Sequence, residues 1–580
     1  MENLIISKFM DKHEVAQILY EVSQIFEIQG ENPFRVRAYQ NAARIIEGLS
    51  DDLELLVKSE GLIKLRGIGP NLAAHIKELV LTGRLKEYEQ MLRGIPEGLF
   101  DMLKRHGLGP KKVGALWREL SIASIGELEY ACKENRLIEL PGFGEKTQTK
   151  ILRGLEFLKR FEGRYLYSEA KIMADELLQA MQRHKDVIKA EIAGSIRRCK
   201  ETVKDIDLLI ATKKPKVVSK KFISLPHVDS VTAEGETKTS VILYNGLAVD
   251  LRVVSEKEFP YALHHFTGSK EHNVAMRSLA KKQGVKMNEY GLFKGTELLK
   301  CKDEVEIYKR LGLAFIPPEL REDQGEIEAA RKDELPDLIT ENDIKGIFHV
   351  HSTWSDGRDS IEAMASAAKN LGYKYIGISD HSQSAQYAGG LQIEEIKKQH
   401  KEIDKINKRN KGLKILKGVE SDILPDGSLD YPDSVLELFD FVIISVHSQF
   451  NMSEDRMTER IIKAMQNPYT SILGHPTGRL LLARDAYAVN MHKVIDAASD
   501  YGVAIEINSH PQRLDLDWRH GKYAKSKGIK VTINPDAHSV EGLTDVKYGV
   551  GIARKGWFEK KDVLNCLNVS EVEEYFKKRR

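Results

Sequence analysis

Short apolar segments recur through the C-terminal part of the chain as GIFHVH, YIGISDH, KILKGVE, FVIISVH, SILGH, VAIEIN and VTINPDAH, separated by charged amphipathic stretches. Such alternation restricts this region to a βα barrel or a parallel sheet, because parallel strands need a crossover and a helix supplies it. Every segment ends in a polar residue. The C-terminal ends of parallel strands are where α/β folds place their chemistry.

The chain has 580 residues, and single cores stop growing at roughly 250–300, so several domains are expected. From Lys12 to about Phe161 the pattern is of short amphipathic helices, as in Val15, Ile18, Leu19, Val22 and Phe26, divided by glycine turns. From about Tyr165 to Leu313 strand-like segments appear, IDLLIA (206–211), SVILY (240–244) and LAVDLRVV (247–254), mixed with helices such as the one around His272 to Gln283. This part reads as α+β. Ile316 to Asp337 opens with Pro317 and Pro318 and continues in dense charge, which reads as a linker.

No apolar run approaches the ~20 residues needed to cross a bilayer, and Asp11 and Glu14 interrupt the place of a signal peptide, so the cytoplasm is expected and a membrane role is not. The four cysteines stand far apart without CxxC spacing, so any metal must use histidine and carboxylate. Net charge is only +2, so nucleic-acid contact must come from local basic faces and backbone donors.

Three segments, LRGIGPNLAAHI (65–76), HGLGPKKVGAL (106–116) and LPGFGEKTQTKIL (140–152), carry Gly-x-Gly at a helix start: Gly67 and Gly69, Gly107 and Gly109, Gly142 and Gly144. Glycines let turn amides face an anion at the helix N-terminus, and a DNA phosphate suits that place. One such turn can equally join two packed helices. Three in one helical region favour contact with the DNA backbone.

GSIRR (194–198) precedes Asp205-Ile206-Asp207, and Asp250 follows on a later strand. Alternation puts Asp205 and Asp207 on one face while Ile206 and Leu208 enter the core, and Asp250 opposes Leu247, Val249 and Leu251 in the same way. D-x-D alone fits a solvated strand edge. With GS upstream and a third aspartate, the set fits two divalent cations serving in-line phosphoryl transfer. Here the sequence resembles the nucleotidyltransferase superfamily.

HHFTGSKEHNVAMR (264–277), NEYGL (288–292) and NPFRVRAY (32–39) narrow the resemblance to family X DNA polymerases over roughly residues 1–315. The resemblance implies that Gly194, Ser195 and Arg198 hold an incoming deoxynucleoside triphosphate and that Asp205, Asp207 and Asp250 are catalytic ligands of Mg2+ or Mn2+. It implies further that His265, Phe266, Gly268 and Asn273 meet the nucleotide, Arg277 the template strand, and Arg35 and Tyr39 a downstream 5′-phosphate. Two positions depart from the pattern. His75 stands where lyase-competent relatives have a Schiff-base lysine, with Lys77 nearby; imidazole forms no imine, so lyase chemistry is expected to be weak or absent. His265 stands where better-known relatives have a tyrosine.

Beyond residue 340, His349, His351, Asp356, Asp380, His381, Glu420, His447, His475, Asp536 and His538 lie at or just beyond predicted strand ends and should converge on one mouth. HVHSTWSDG, SDH, GVE, SVH, GHP and PDAH resemble the PHP phosphoesterases. By that resemblance His349, His351, Asp356, His381, Glu420, His447, His475, Asp536 and His538 hold up to three Mn2+ or Zn2+ ions in a distorted βα barrel. Asp380 is expected to orient a ligand histidine.

The expected organisation is multidomain: an all-α helix-hairpin-helix region (1–90, with a second helical subdomain 91–164), an α+β palm and thumb (165–315), a charged linker (316–340) and the PHP domain (341–580). The order resembles bacterial family X DNA polymerases, which implies gap filling in DNA repair plus a 3′-5′ exonuclease, with cleavage at abasic sites sometimes associated. Implied partners are gapped or nicked DNA with a 5′-phosphate and deoxynucleoside triphosphates, for a monomeric enzyme. The rival readings are a nucleotidyltransferase on a non-DNA acceptor fused to a small-molecule phosphatase and, second, a non-catalytic DNA-binding scaffold.

Overall fold

The computed structural model describes residues 10–578 apart from 50–52, 104–107, 134–135, 139 and 162. They form two compact units, 1–162 and 163–580.

The first unit is helical. Its opening helix, Lys12–Gln29, starts where the Asp11 side chain accepts from the His13 and Glu14 amides and ends at Gly30, whose φ of 76° few other residues tolerate. Two apolar cores form here, one around Leu19, Phe26, Tyr39, Ile46 and Ile76 and one around Leu99, Val113, Leu116, Phe143 and Leu155.

In the second unit a five-stranded sheet runs in the order Val187–Ile192, Asp205–Thr212, Ala248–Val254, Lys238–Leu243, Val228–Glu234, antiparallel except between the second and third of these strands. Leu209 and Ala211 pack under helix Phe259–Thr267, so the strand Asp205–Thr212 becomes buried on both faces beyond its first turn of alternation. A three-stranded antiparallel sheet, Lys286–Asn288, Gly291–Lys294 and Glu297–Leu298, follows.

Seven parallel strands then stand in sequence order, from Gly346–Ile347 through Tyr375–Ile378, Lys414–Asp422, Phe441–Ser445, Ile472–Leu473 and Ala504–Asn508 to Val531–Asn534. The bridge Val350↔Ala537 ties the two ends together, so the barrel is nearly closed. Right-handed crossover helices are the expected cover for such strands.

The charged stretch 316–340 is not a solvated linker. Arg321 and Glu326 are wholly buried, a helix spans Glu326–Lys332, and Ile316 and Leu320 join an apolar core with Met276, Tyr308 and Trp557. The charges are neutralised by partners distant in sequence: Arg321 meets Glu304, and Glu326 lies 2.6 Å from His272 Nδ1. Helix Val546–Lys555 seats the barrel on the sheet domain, with Tyr548 edge-on to Tyr167 at 5.9 Å and Gly551 against Cys199.

Candidate catalytic sites

On the five-stranded sheet Asp207 lies directly opposite Asp250 in the parallel register. Ile206, Leu208, Val249 and Leu251 are buried beneath, so Asp205, Asp207 and Asp250 share the other face. Ser240 Oγ donates to Asp250 Oδ1 at 2.6 Å and Lys238 Nζ sits 2.7 Å from Oδ2. Burial, then the charges of Asp205 and Asp250, push the Asp207 carboxyl up to about 7. Crowding of this kind favours a cation among the carboxylates. Gly194 makes the arrangement possible: at φ 63° a Cβ there would lie 2.1 Å from Asp207 Oδ2. Ser195 is half-buried on the short helix that Gly194 opens.

At the barrel mouth all nine expected ligands converge. Asp536 Oδ1 lies 3.2 Å from His351 Nε2 and 3.5 Å from His349 Nε2. Glu420 reaches His381 Nδ1 at 3.0 Å with one oxygen and His475 Nε2 at 2.9 Å and His447 Nε2 at 3.4 Å with the other. Asp356 closes the set, 3.4 Å from His538 Nε2 and 3.7 Å from His381 Nε2. Three overlapping groups of ligand atoms each fall within 4.8 Å. His349 Nε2 and both nitrogens of His351 are buried without a hydrogen-bond partner. Orphaned imidazole nitrogens facing carboxylates fit divalent metal, which would take their lone pairs. Asp536 holds φ at 52°, a strained value for a side-chain-bearing residue, and such strain gathers at functional sites.

The orienting groups are not where sequence reasoning put them. The Asp380 carboxylate is taken up instead by Ser352 N and Oγ, both at 2.7 Å, Ser355 Oγ at 2.6 Å and Gln399 Nε2 at 2.7 Å, pinning the loop that carries Asp356. Glu506 instead holds His349 Nδ1 at 2.8 Å and accepts from the His475 amide at 2.8 Å, while Asp422 holds His447 Nδ1 at 2.6 Å. Burial works against the charged form of His349, but Glu506, Asp536 and Glu420 outweigh it and raise its pKa well above the usual value.

The helix-hairpin-helix domain family matches residues 10–85, the SAM-like helix-hairpin-helix tandem 101–156, the DNA polymerase beta thumb 262–322 and the PHP domain 348–510. The chain is 42% identical over 574 residues to the DNA polymerase/3′-5′ exonuclease PolX of Bacillus subtilis (strain 168), covering 98% of this chain and 100% of that one. It belongs to the bacterial family X DNA polymerases with a C-terminal PHP domain. Other relatives match only part of the chain. A repair DNA polymerase X of African swine fever virus is 35% identical over 136 residues (22% of this chain, 78% of its own), and a probable phosphatase of Thermoanaerobacter sp. (strain X514) is 30% identical over 250 residues (40% and 94%).

Other residues that the family X pattern singles out are placed as follows. Arg198 is almost fully buried, its Nε 3.0 Å from Glu322 Oε1 and its Nη1 donating to the Thr267 carbonyl at 2.8 Å. Asn273 Nδ2 donates to the carbonyls of His265 at 2.7 Å and Gly268 at 3.1 Å, and a Cβ on Gly268 would lie 2.8 Å from Asn273 Oδ1. These bonds gather His265, Phe266, Gly268 and Asn273 into one corner, where Arg252 covers the Phe266 ring at 4.7 Å. Arg277 is exposed and lines a cavity of about 480 Å³ with Lys281, Lys286 and Phe293.

In the helical unit Gly69 and Gly109 cap helices Pro70–Thr82 and Pro110–Leu120 without a side-chain acceptor, so the first-turn amides stay open to an anion. Gly67 at φ 102° and Gly142 at φ 85° make the turns, and Gly144 opens helix Gly144–Phe161. Gly107 lies outside the described residues. Arg35 and Tyr39 stand in one cluster with two further residues: Arg35 meets Glu87 at 2.7 Å, Tyr39 Oη meets His75 Nδ1 at 2.7 Å, and His75 Nε2 lies 3.1 Å from Glu87 Oε2. Glu87 carried no signal in the sequence, since its partners lie far along the chain. Among the described residues no helix is long and apolar enough to cross a membrane.

Proposed function

We propose that the enzyme fills short gaps in DNA by template-directed nucleotidyl transfer at Asp205, Asp207 and Asp250 and removes 3′-terminal nucleotides at the barrel mouth. The observation that carries this reading is that a chain matching PolX over 98% of its length brings three carboxylates together on one sheet face and nine histidines and carboxylates together at the barrel mouth.

At the first site the carboxylates would hold Mg2+ or Mn2+, which supplies charge neutralisation and Lewis acidity toward the phosphates. Gly194 and Ser195 offer close backbone approach and a hydroxyl to a triphosphate, and Arg198 its guanidinium. The His265–Asn273 corner shapes the sugar pocket, while Arg277 meets the template strand. Open hairpin amides grip phosphates without reading sequence, and Arg35 with Tyr39 receives the 5′-phosphate of the downstream strand.

At the second site the nine ligands would hold up to three ions, Mn2+ or Zn2+, and the same kind of chemistry serves hydrolysis of a phosphodiester. Glu506 and Asp422 fix the ring faces of His349 and His447. Arg513, 3.4 Å from Asp536 Oδ2, adds a fixed positive charge beside the ligands. Frayed or mispaired 3′ ends suit a barrel mouth better than paired ends, because unstacking costs a few kcal/mol that a mismatch has largely met. The domain limits 1–90, 91–164, 165–315 and 341–580 divide these tasks, with 316–340 packed against the thumb, and the enzyme works as a monomer in the cytoplasm.

A labelled primer in a short gap, incubated with and without nucleotides across Mg2+ and Mn2+, tests the proposal. Template-dictated extension with nucleotides and 3′-5′ shortening without them are expected. Failure to copy the template would favour a nucleotidyltransferase on another acceptor.

A further inference from the structure

Lys555, the last residue of helix Val546–Lys555 on the barrel, has a wholly buried side chain that enters the sheet domain. Its Nζ lies 2.5 Å from Glu322 Oε1 and donates to the Arg198 carbonyl at 3.1 Å and the Glu319 carbonyl at 3.4 Å. The Trp518 ring covers it at 4.5 Å. The same Glu322 oxygen accepts from Arg198 Nε at 3.0 Å. Burial raises Glu322, but Lys555 and Arg198 outweigh it and hold the carboxyl below its usual value. With Glu322 ionised, Arg198 and Glu322 alone would sum to zero charge; Lys555 brings these three groups to a net +1 beside the side chain read as meeting the triphosphate.

We propose that Lys555 is a positioning residue of the polymerase site: the PHP domain supplies the cation that occupies Glu322 and leaves the Arg198 charge available to the incoming nucleotide. The inference rests on the reading that Arg198 faces the triphosphate. A structural tie alone would need no particular charge balance, and the salt bridge would be replaceable by apolar contact. The charge argument requires that removing Lys555 harm nucleotide binding and that removing Glu322 as well repair it.

The test is steady-state extension of a gapped primer by the full-length protein, giving nucleotide KM and kcat separately, with 3′-5′ shortening measured on the same preparations. Lys555→Met should raise nucleotide KM roughly tenfold, the scale of one unit charge lost at about 12 Å with an effective dielectric constant of about 20. Its kcat should change little, and shortening should stay at the wild-type rate, which also shows that the variant folds. Lys555→Arg should return KM to within about threefold of wild type, and Lys555→Met with Glu322→Gln should lower the single variant's KM most of the way back. An unchanged KM in Lys555→Met, or a double variant worse than the single one, overturns the proposal. Arg198→Gln separates the two layers: if it leaves KM unaltered, the reading of Arg198 fails and the proposal fails with it; if it raises KM while Lys555→Met does not, only the proposal fails.

Discussion

Gly194→Ala places a methyl group where the structure has room for none. The new Cβ would stand 2.1 Å from Asp207 Oδ2, on a backbone at φ 63°. The left-handed conformation costs an alanine about 1–2 kcal/mol, a modest loss of stability for a buried turn. The close contact matters more, because the carboxylate must retreat by about 1.3 Å or more to reach ordinary van der Waals separation, and a misplacement of even about 1 Å in a reacting group costs about 10²-fold. Primer extension under single-turnover conditions should therefore slow about a hundredfold, while 3′-5′ shortening by the same protein stays within about twofold, since Gly194 lies outside the barrel mouth. Extension near the wild-type rate would show that Asp207 does not have to sit where the structure holds it, and the assignment of the three carboxylates would fall.

Glu506→Gln should keep the hydrogen bond to His349 but remove its charge, weakening Mn2+ activation of shortening by about 10- to 100-fold; a metal titration followed by activity checks this, and an unshifted curve would clear Glu506 of the role. Glu304 is almost fully buried between Arg197 and Arg321, so Glu304→Gln should destabilise the second unit by about 3 kcal/mol, visible as a lowered melting temperature. Burial raises its carboxyl, but Arg321 and Arg197 outweigh this and hold it below the ordinary 4.5. The stability it contributes is thus present above pH 4.5 and is lost as the pH falls through the lowered value; equal acid sensitivity in Glu304→Gln would refute that account. Borohydride should trap little or no enzyme on an incised abasic substrate, and strong trapping that vanishes in His75→Ala but persists in Lys77→Ala would contradict the reading of His75.

The cluster at the barrel mouth was legible because polar groups at the ends of parallel strands leave a periodic trace, one after each apolar run. The palm aspartates were legible for the same reason, through alternation. What escaped the sequence was pairing at a distance. Asp380 adjoins His381 in the chain, yet neighbours in an extended segment point apart, and its carboxylate turns to Ser352, Ser355 and Gln399. Glu506 was not singled out: it is one charge inside an otherwise apolar strand, and only its burial shows that something polar or ionic must face it. The stretch from Ile316 read as a linker because its charges were counted without their partners. Arg321, Glu322 and Glu326 are matched by Glu304, Arg198 with Lys555, and His272, none of them near in sequence.

That synthesis and degradation belong to two separate metal sets is the central claim, and one gapped substrate with a mispaired 3′ terminus tests it directly, in Mn2+ and again after chelator. Asp205→Ala with Asp207→Ala should still shorten the primer but not extend it, and His349→Ala with His351→Ala should extend but not shorten, both activities stopping with chelator. Shortening that survives loss of the two histidines and disappears with the two aspartates would place the nuclease in the polymerase site and contradict the account.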